Sequence, residues 1–66
     1  MGYRIKEVRE EKRMSQEELS AKSGVSRRII SELETGIRTS TTTKTLVAIA
    51  TALGTTVDSI FFTESV

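Results

Sequence analysis

A short helix in the middle of the chain has recognisable signals at both of its ends. The segment Ser15-Gln16-Glu17-Glu18 is a capping box, in which the Ser15 hydroxyl accepts from the Glu18 amide and the Glu18 carboxylate reaches back to the Ser15 amide. Gly24 follows two turns later and can take the left-handed conformation that ends a helix sharply. The sequence therefore predicts a two-turn helix that begins at Gln16, and a chain built from short helices with tight turns.

A second short helix is predicted directly after this glycine turn. Ser26 can cap it, and Ile30 and Leu33 give it a one-sided apolar stripe. The pair Thr35-Gly36 ends it. Two short helices joined by a glycine turn therefore span residues 16–35.

Three further helices complete the predicted secondary structure. One spans residues 3–13, one ends at Gly54, and a last short helix is capped by Thr55 or Thr56. Residues 37–42 show no helical periodicity and are rich in hydroxyl side chains, which predicts a loop. The apolar residues at helical spacing are Ile5 and Val8 in the first helix, Leu46, Ile49, Ala50 and Leu53 in the fourth, and Val57, Ile60 and Phe61 in the fifth.

The length of the chain limits it to one domain. A chain of 66 residues buries only about 60% of its unfolded surface, which makes a single core marginal. It contains no cysteine and no histidine, so helix packing, helped by oligomerisation, must stabilise it. The predicted fold is all-α, a compact five-helix domain over residues 1–66 with its core at about 4–62 and a short tail at 63–66.

Charge is distributed unevenly along the chain. Residues 1–44 contain all ten lysines and arginines against seven glutamates, whereas residues 45–66 contain no basic residue and two acidic ones. This asymmetry indicates that the first two thirds face a polyanion, although ordinary solvated helix surfaces account for it equally well. No apolar run has the length of a membrane span or a signal core, so we expect a soluble, cytoplasmic protein without membrane contact.

Several landmarks follow one another along most of the chain. They are Arg9, Met14-Ser15-Gln16-Glu17-Glu18-Leu19, Gly24-Val25-Ser26, Leu33-Glu34-Thr35-Gly36 and Ile49-Ala50-Thr51-Ala52-Leu53-Gly54. In order and spacing they resemble the helix-turn-helix domain of the lambda-repressor and Cro family, also called the Xre family. The resemblance implies a compact five-helix domain in which helix 3 enters the major groove of double-stranded DNA while helix 2 crosses the backbone above it.

The resemblance implies roles for individual residues of the motif. Arg27 and Arg28 fall where the family reads bases, and arginine is well suited to bidentate contact with guanine. Ser31 and Glu32 follow one turn later, and Glu32 is expected either to accept from cytosine or to orient Arg28 through an i, i+4 ion pair. Phosphate contacts are expected from Gln16, Ser26, Arg38, Thr39 and Arg13.

Two of the charged positions have a structural interpretation. Arg9 and Glu34 match family positions that form an ion pair between helix 1 and the end of helix 3, so we expect this pair to stabilise the fold. Lys12 and Arg13 also suit the negative end of the helix 1 dipole. For Arg13, this role and a phosphate contact stay open alternatives.

The apolar residues near the C-terminus predict a homodimer. Phe61 is most simply a core residue, whereas Phe62 and Ile37 are hard to bury within so small a chain. The resemblance implies dimer contacts around helix 5 and the C-terminus. We therefore expect Ile37 and Phe62 at a dimer interface, and the resemblance implies that Phe61 lies at this interface as well.

The function that follows is a homodimeric transcriptional repressor on a palindromic operator, with half-site centres about 10 to 10.5 base pairs apart. Two alternatives remain: an antitoxin of this fold that binds a partner protein as well as DNA, and an activator of the restriction-modification controller type. The sequence lacks histidine, cysteine, a glycine-rich phosphate loop and a nucleophile beside a base. We therefore expect no catalytic residue, metal site, cofactor or small-molecule ligand.

Overall fold

A computed structural model describes residues 3–38 and 41–60 of the chain. Within these residues the chain forms five helices and no strand, so the predicted all-α fold is confirmed. No helix of this part is long and apolar enough to cross a membrane. The helices are α1 (Ile5–Glu11), α2 (Gln16–Ser23), α3 (Arg27–Thr35), α4 (Thr43–Leu53) and α5 (Val57–Ile60).

Serine caps and a glycine turn delimit α2 and α3 as the sequence predicts. The Oγ of Ser15 accepts from the Glu18 amide at 3.0 Å, and the Oγ of Ser26 accepts from the Ile29 amide at 3.2 Å. Each such cap contributes about 1 kcal/mol by satisfying an amide that has no partner inside the helix. Gly24 ends α2 with φ of 77°, a conformation that favours glycine, so the chain turns at once into α3.

Threonine side chains cap the last two helices. The Oγ1 of Thr42 accepts from the Thr45 amide at 3.2 Å, directly before α4. The Oγ1 of Thr56 accepts from the Ser59 amide at 3.3 Å, directly before α5. The sequence allows either Thr55 or Thr56 as the cap, and the structure shows that Thr56 is the cap.

Helix α1 is shorter than the sequence predicts. It runs over Ile5–Glu11 and not over residues 3–13. The reason is Arg13, whose φ of 55° is a left-handed conformation that cannot continue a helix. The amide of Met14 then bonds the carbonyl of Arg9 at 3.1 Å. Arg13 thus belongs to the turn before α2, and the prediction that placed it inside helix 1 is wrong.

One half of the capping box also differs from the prediction. The Glu18 carboxylate makes no hydrogen bond to the Ser15 amide in the part of the chain that the structure describes. It lies 3.7 Å from the Nζ of Lys22, one turn further along α2. Both side chains are about half exposed, so this pair contributes little to stability.

Every helix contributes at least one fully buried aliphatic side chain to a single core. Burying each of these side chains stabilises the fold by roughly 1.5 to 3 kcal/mol. Two of them come from α3, whose apolar stripe is thereby fixed against the other helices while its opposite face is left outside. The fully buried side chains are Ile5, Leu19, Ile30, Leu33, Ile49 and Ile60.

Candidate nucleic-acid interface

The outer face of α3 carries the side chains that the sequence predicts for base reading. Arg27 and Arg28 are exposed, while Ser31 and Glu32 are partly buried. The opposite stripe of the helix lies in the core. A helix held along one face and polar along the other can enter a groove without unfolding, which is the geometry that major-groove binding needs.

The two neighbouring arginines at the start of α3 have different surroundings. The Nε of Arg28 donates to the Glu32 carboxylate at 3.2 Å, although 88% of the Arg28 side chain is exposed. The Arg27 side chain forms no hydrogen bond or ion pair within residues 3–38 and 41–60. One arginine is therefore tethered before any ligand arrives, and the other is free to move.

The carboxylate of Glu32 binds a second arginine from the segment after α3. The Nε of Arg38 donates to Oε1 of Glu32 at 3.0 Å, and its Nη2 lies 2.9 Å from the same oxygen. The amide of Arg38 also bonds the carbonyl of Glu32 at 3.1 Å. Glu32 thus fixes the start of the segment after α3 through both its side chain and its backbone, and it links Arg38 to Arg28.

The two arginines favour the charged form of Glu32. Hydrogen bonds from Arg38 and then from Arg28 hold the pKa of this carboxyl below its ordinary value, against a smaller opposing effect of desolvation. The carboxylate is therefore ionised at neutral pH. The cluster of Arg28, Glu32 and Arg38 carries a net charge of one and not two.

A second carboxylate on α3, Glu34, joins three parts of the fold. Its Oε2 accepts from the Nε of Arg9 at 2.8 Å, and its Oε1 accepts from the Nη2 of Arg9 at 3.2 Å and from the Nε2 of Gln16 at 2.9 Å. The Nη1 of Arg9 donates to the Met14 carbonyl at 2.7 Å. Together these bonds join α1, the turn after it, the start of α2 and the end of α3.

This second cluster is almost closed to solvent. Only 11% of the Arg9 side chain and 2% of the Glu34 side chain are exposed. The hydrogen bond with Glu34 raises the pKa of Arg9, more than burial lowers it. No buried polar side-chain atom of the described residues lacks a partner. The cost of burying both charges is thus offset by good geometry and complete hydrogen bonding.

Gln16 joins the buried cluster to the surface at the start of α2. Its amide group has two N–H donors, and the bond to Glu34 uses one of them. The other remains for an anion beside the first turn of α2, where backbone amides and the helix dipole favour negative charge. The sequence did not reveal the contact between Gln16 and Glu34, because it depends on how the start of α2 meets the end of α3.

With this geometry established, comparison with known proteins identifies the family. A family model described as Helix-turn-helix matches residues 5–60, which is most of the chain. The chain belongs to this helix-turn-helix family, of the Cro/C1 and Xre-like type. No curated protein and no solved structure matches it. The predicted family resemblance is thus confirmed, and α2 and α3 are the motif.

Membership of the helix-turn-helix family defines the general activity. The protein is a DNA-binding regulator of transcription. Domains of this family are regulatory and not typically enzymes. Among the described residues, no three histidine, cysteine or acidic side chains form a group that could hold a metal ion.

Arg13 and Ser26, two further residues expected to contact phosphate, form no bond to either carboxylate cluster. Arg13 is exposed in the turn before α2, and its side chain forms no hydrogen bond or ion pair within the described part of the chain. The Ser26 oxygen accepts from the Ile29 amide, which leaves its hydroxyl hydrogen for a phosphate oxygen. Thr39 lies outside the described residues.

The predicted dimer residues are described only in part. Ile37 follows the helix-turn-helix, and 77% of it is exposed. Val47 on α4 is a second exposed aliphatic residue, at 46%, which the sequence did not single out. Phe61 and Phe62 lie outside the described residues.

Proposed function

We propose that this protein is a homodimeric repressor that acts in the cytoplasm and inserts α3 into the major groove of a palindromic operator. The observation that carries the proposal is the two-sided character of α3. Ile30 and Leu33 are fully buried on one side, while Arg27 and Arg28 are exposed on the other. A single domain over residues 1–66 performs this function.

Base reading is assigned to the exposed face of α3. Arg27 and Arg28 contact guanine, where each bidentate pair is worth about 1 to 3 kcal/mol of discrimination against another base. Ser31 lies one turn later, and its hydroxyl forms a hydrogen bond to a base edge. These contacts decide which sequence is bound, because phosphates are the same in every sequence.

Phosphate contacts fix the position of the motif on the duplex. Gln16 and the free amides at the start of α2 bind one phosphate, and Ser26 donates from the start of α3. Arg38 and Thr39 contact the backbone after α3, and Arg13 does so from the turn before α2. These contacts supply affinity that falls with salt and does not depend on sequence.

A dimer places two copies of α3 in successive major grooves. The half-site centres are then about 10 to 10.5 base pairs apart on one side of the duplex. The exposure of Ile37 supports an apolar contact between the copies, to which we assign Phe61 and Phe62 as well. Repression follows when the bound dimer covers a promoter and excludes polymerase.

Selection of bound sites from random duplex DNA tests this function. We expect a two-fold symmetric consensus with guanines at related positions in both halves. A bound pool without an enriched sequence would contradict sequence-specific recognition. A single half-site, together with a monomer in sedimentation at micromolar concentration, would contradict the dimer.

The regulatory sign is tested separately with the selected operator. When the operator overlaps a promoter, adding the protein should lower transcription in a purified system with polymerase. The control is the same promoter with the operator scrambled, which should not respond. Increased transcription from the intact operator would make the protein an activator.

A further inference from the structure

We propose that Glu32 is a positioning residue that aims Arg28 at the bases of one DNA sequence, holds Arg38 for a phosphate contact, and reduces the charge that the two arginines offer to unrelated DNA. This inference rests on the proposed function and deepens it. It replaces a direct base contact by Glu32 with an indirect role. The role would make a carboxylate useful on a surface that approaches a polyanion.

The hydrogen bonds of Glu32 support the indirect role. Each carboxylate oxygen already has an arginine partner, Arg28 at Oε2 and Arg38 at Oε1. The side chain is 20% exposed, far less than that of Arg28 at 88%. A cytosine amino group would have to displace an arginine or share its oxygen, whereas the arginines extend further into solvent.

The hydrogen bond that holds Arg28 leaves the two terminal nitrogens of its guanidinium unused. The bond to Glu32 uses the Nε, so both terminal nitrogens remain for guanine O6 and N7. A tether at Nε limits the directions in which the guanidinium can point. The entropy of ordering this long side chain is then lost in the free protein, and less is lost on binding.

The same tether lowers affinity for DNA in general. Two free arginines would each neutralise a phosphate and release counterions, whereas the cluster with Glu32 has one net positive charge. Arg27 provides an internal reference, because it lies on the same face without a partner among the described residues. We therefore expect Glu32 to affect binding through Arg28 and Arg38 and not through Arg27.

Binding by the full chain carrying Glu32→Gln tests the inference. Dissociation constants are measured for the selected operator and for an unrelated duplex over a range of salt. We expect the ratio of the two constants to fall about tenfold, with tighter binding to the unrelated duplex. The slope of log K against log salt should steepen by about 0.9 for the unrelated duplex, as one more phosphate is neutralised.

Two further variants separate charge from geometry. Glu11→Gln removes one exposed carboxylate from α1 and should leave the operator ratio unchanged, since it is outside the helix-turn-helix. Glu32→Asp keeps the charge but shortens the reach. It should lower the ratio several-fold with a wild-type salt slope, and it carries the test if Glu32→Gln does not fold.

Base preferences decide between the indirect and the direct role. If Glu32 acts through Arg28, Glu32→Gln weakens the preference at the base pair that Arg28→Ala weakens, and adding it to Arg28→Ala changes that preference no further. Loss of preference at a different base pair, with an unchanged slope, would make Glu32 a base contact and overturn the proposal.

The remaining outcomes distinguish this inference from the function on which it rests. If both Glu32 variants keep the wild-type ratio and slope, Glu32 has no role in binding and the inference is overturned. If the wild-type protein itself binds all duplexes alike, the proposed function is contradicted. The first result can be obtained only if the wild-type protein binds the operator more tightly than the unrelated duplex. Failure of the inference and failure of the proposed function are therefore distinguishable.

Discussion

Glu32 and Glu34 lie two residues apart on α3, and each binds two partners, yet their surroundings differ. The Glu34 side chain is 2% exposed and bonds Arg9 and Gln16 across three parts of the fold. The Glu32 side chain is 20% exposed and holds two arginines at the surface. The same residue type therefore performs two tasks, and burial decides which.

The energetic contrast between the two clusters follows from solvent access. Removing one partner of a buried ion pair costs about 3 to 5 kcal/mol, because the other charge is left without compensation. An exposed pair is screened by water and contributes about 0 to 1 kcal/mol. We infer that Glu34 serves the fold and that Glu32 serves binding, and four measurements can break or sharpen this division.

The largest effect is expected for stability when the buried cluster is broken. Glu34→Gln strands the Arg9 guanidinium and should lower the free energy of unfolding by about 3 kcal/mol. That loss is a large fraction of the stability of so small a domain. Urea unfolding followed by circular dichroism measures it, with Glu32→Gln as the matched control, for which we expect a much smaller loss. Equal losses in the two variants would end the distinction between them.

Gln16 tests whether the buried cluster also contributes to DNA binding. Gln16→Ala removes a phosphate donor that Glu34 positions, so affinity should fall by about 1 kcal/mol on operator and unrelated duplex alike. Fluorescence anisotropy with both duplexes measures the change. A loss confined to the operator would contradict a phosphate contact and assign base reading to Gln16.

Arg38 gives the corresponding test at the exposed cluster. Arg38→Ala should weaken binding to every duplex and make the salt slope shallower by about 0.9, the value for one phosphate. The control is Lys44→Ala on α4, an exposed charge outside the helix-turn-helix, for which we expect the wild-type slope. An unchanged slope for Arg38→Ala would remove Arg38 from the phosphate contacts.

The smallest effect is the pH dependence of the exposed cluster. The pKa of Glu32 is lowered in the folded protein, so its stabilising contribution is complete above the usual glutamate pKa of about 4.3 and is lost as pH falls through and below that value. The difference in thermal midpoint between wild type and Glu32→Gln should be constant above about pH 5 and should shrink towards zero at lower pH. A difference that grows on acidification would contradict this sign.

The ends of most helices could be predicted from sequence because their causes are local. Ser15 and Ser26 bond amides three residues away, and Gly24 needs only its own conformational freedom. The end of α1 could not be predicted, since Arg13 takes a left-handed conformation for which an arginine gives no signal. A helix boundary that has no local cause cannot be predicted from the sequence pattern.

The contacts of the two carboxylate clusters can likewise be predicted from sequence only in part. The sequence allows the i, i+4 ion pair of Arg28 and Glu32 to be predicted, because helix periodicity places both on one face. It does not predict the bonds from Arg38 to Glu32 and from Gln16 to Glu34, since these depend on the path of the chain after α3 and on helix packing. Local geometry can be predicted from spacing, whereas contacts between elements need the fold.

The central claim is that the outer face of α3 reads sequence, and Arg28→Ala tests it most directly. The measurement is the ratio of dissociation constants for the selected operator and an unrelated duplex, in wild type and variant at one salt concentration. We predict that operator affinity falls by at least about 1 kcal/mol more than affinity for the unrelated duplex, which loses only the contribution of one charge. Equal losses on both duplexes would contradict the claim and reduce Arg28 to a phosphate contact.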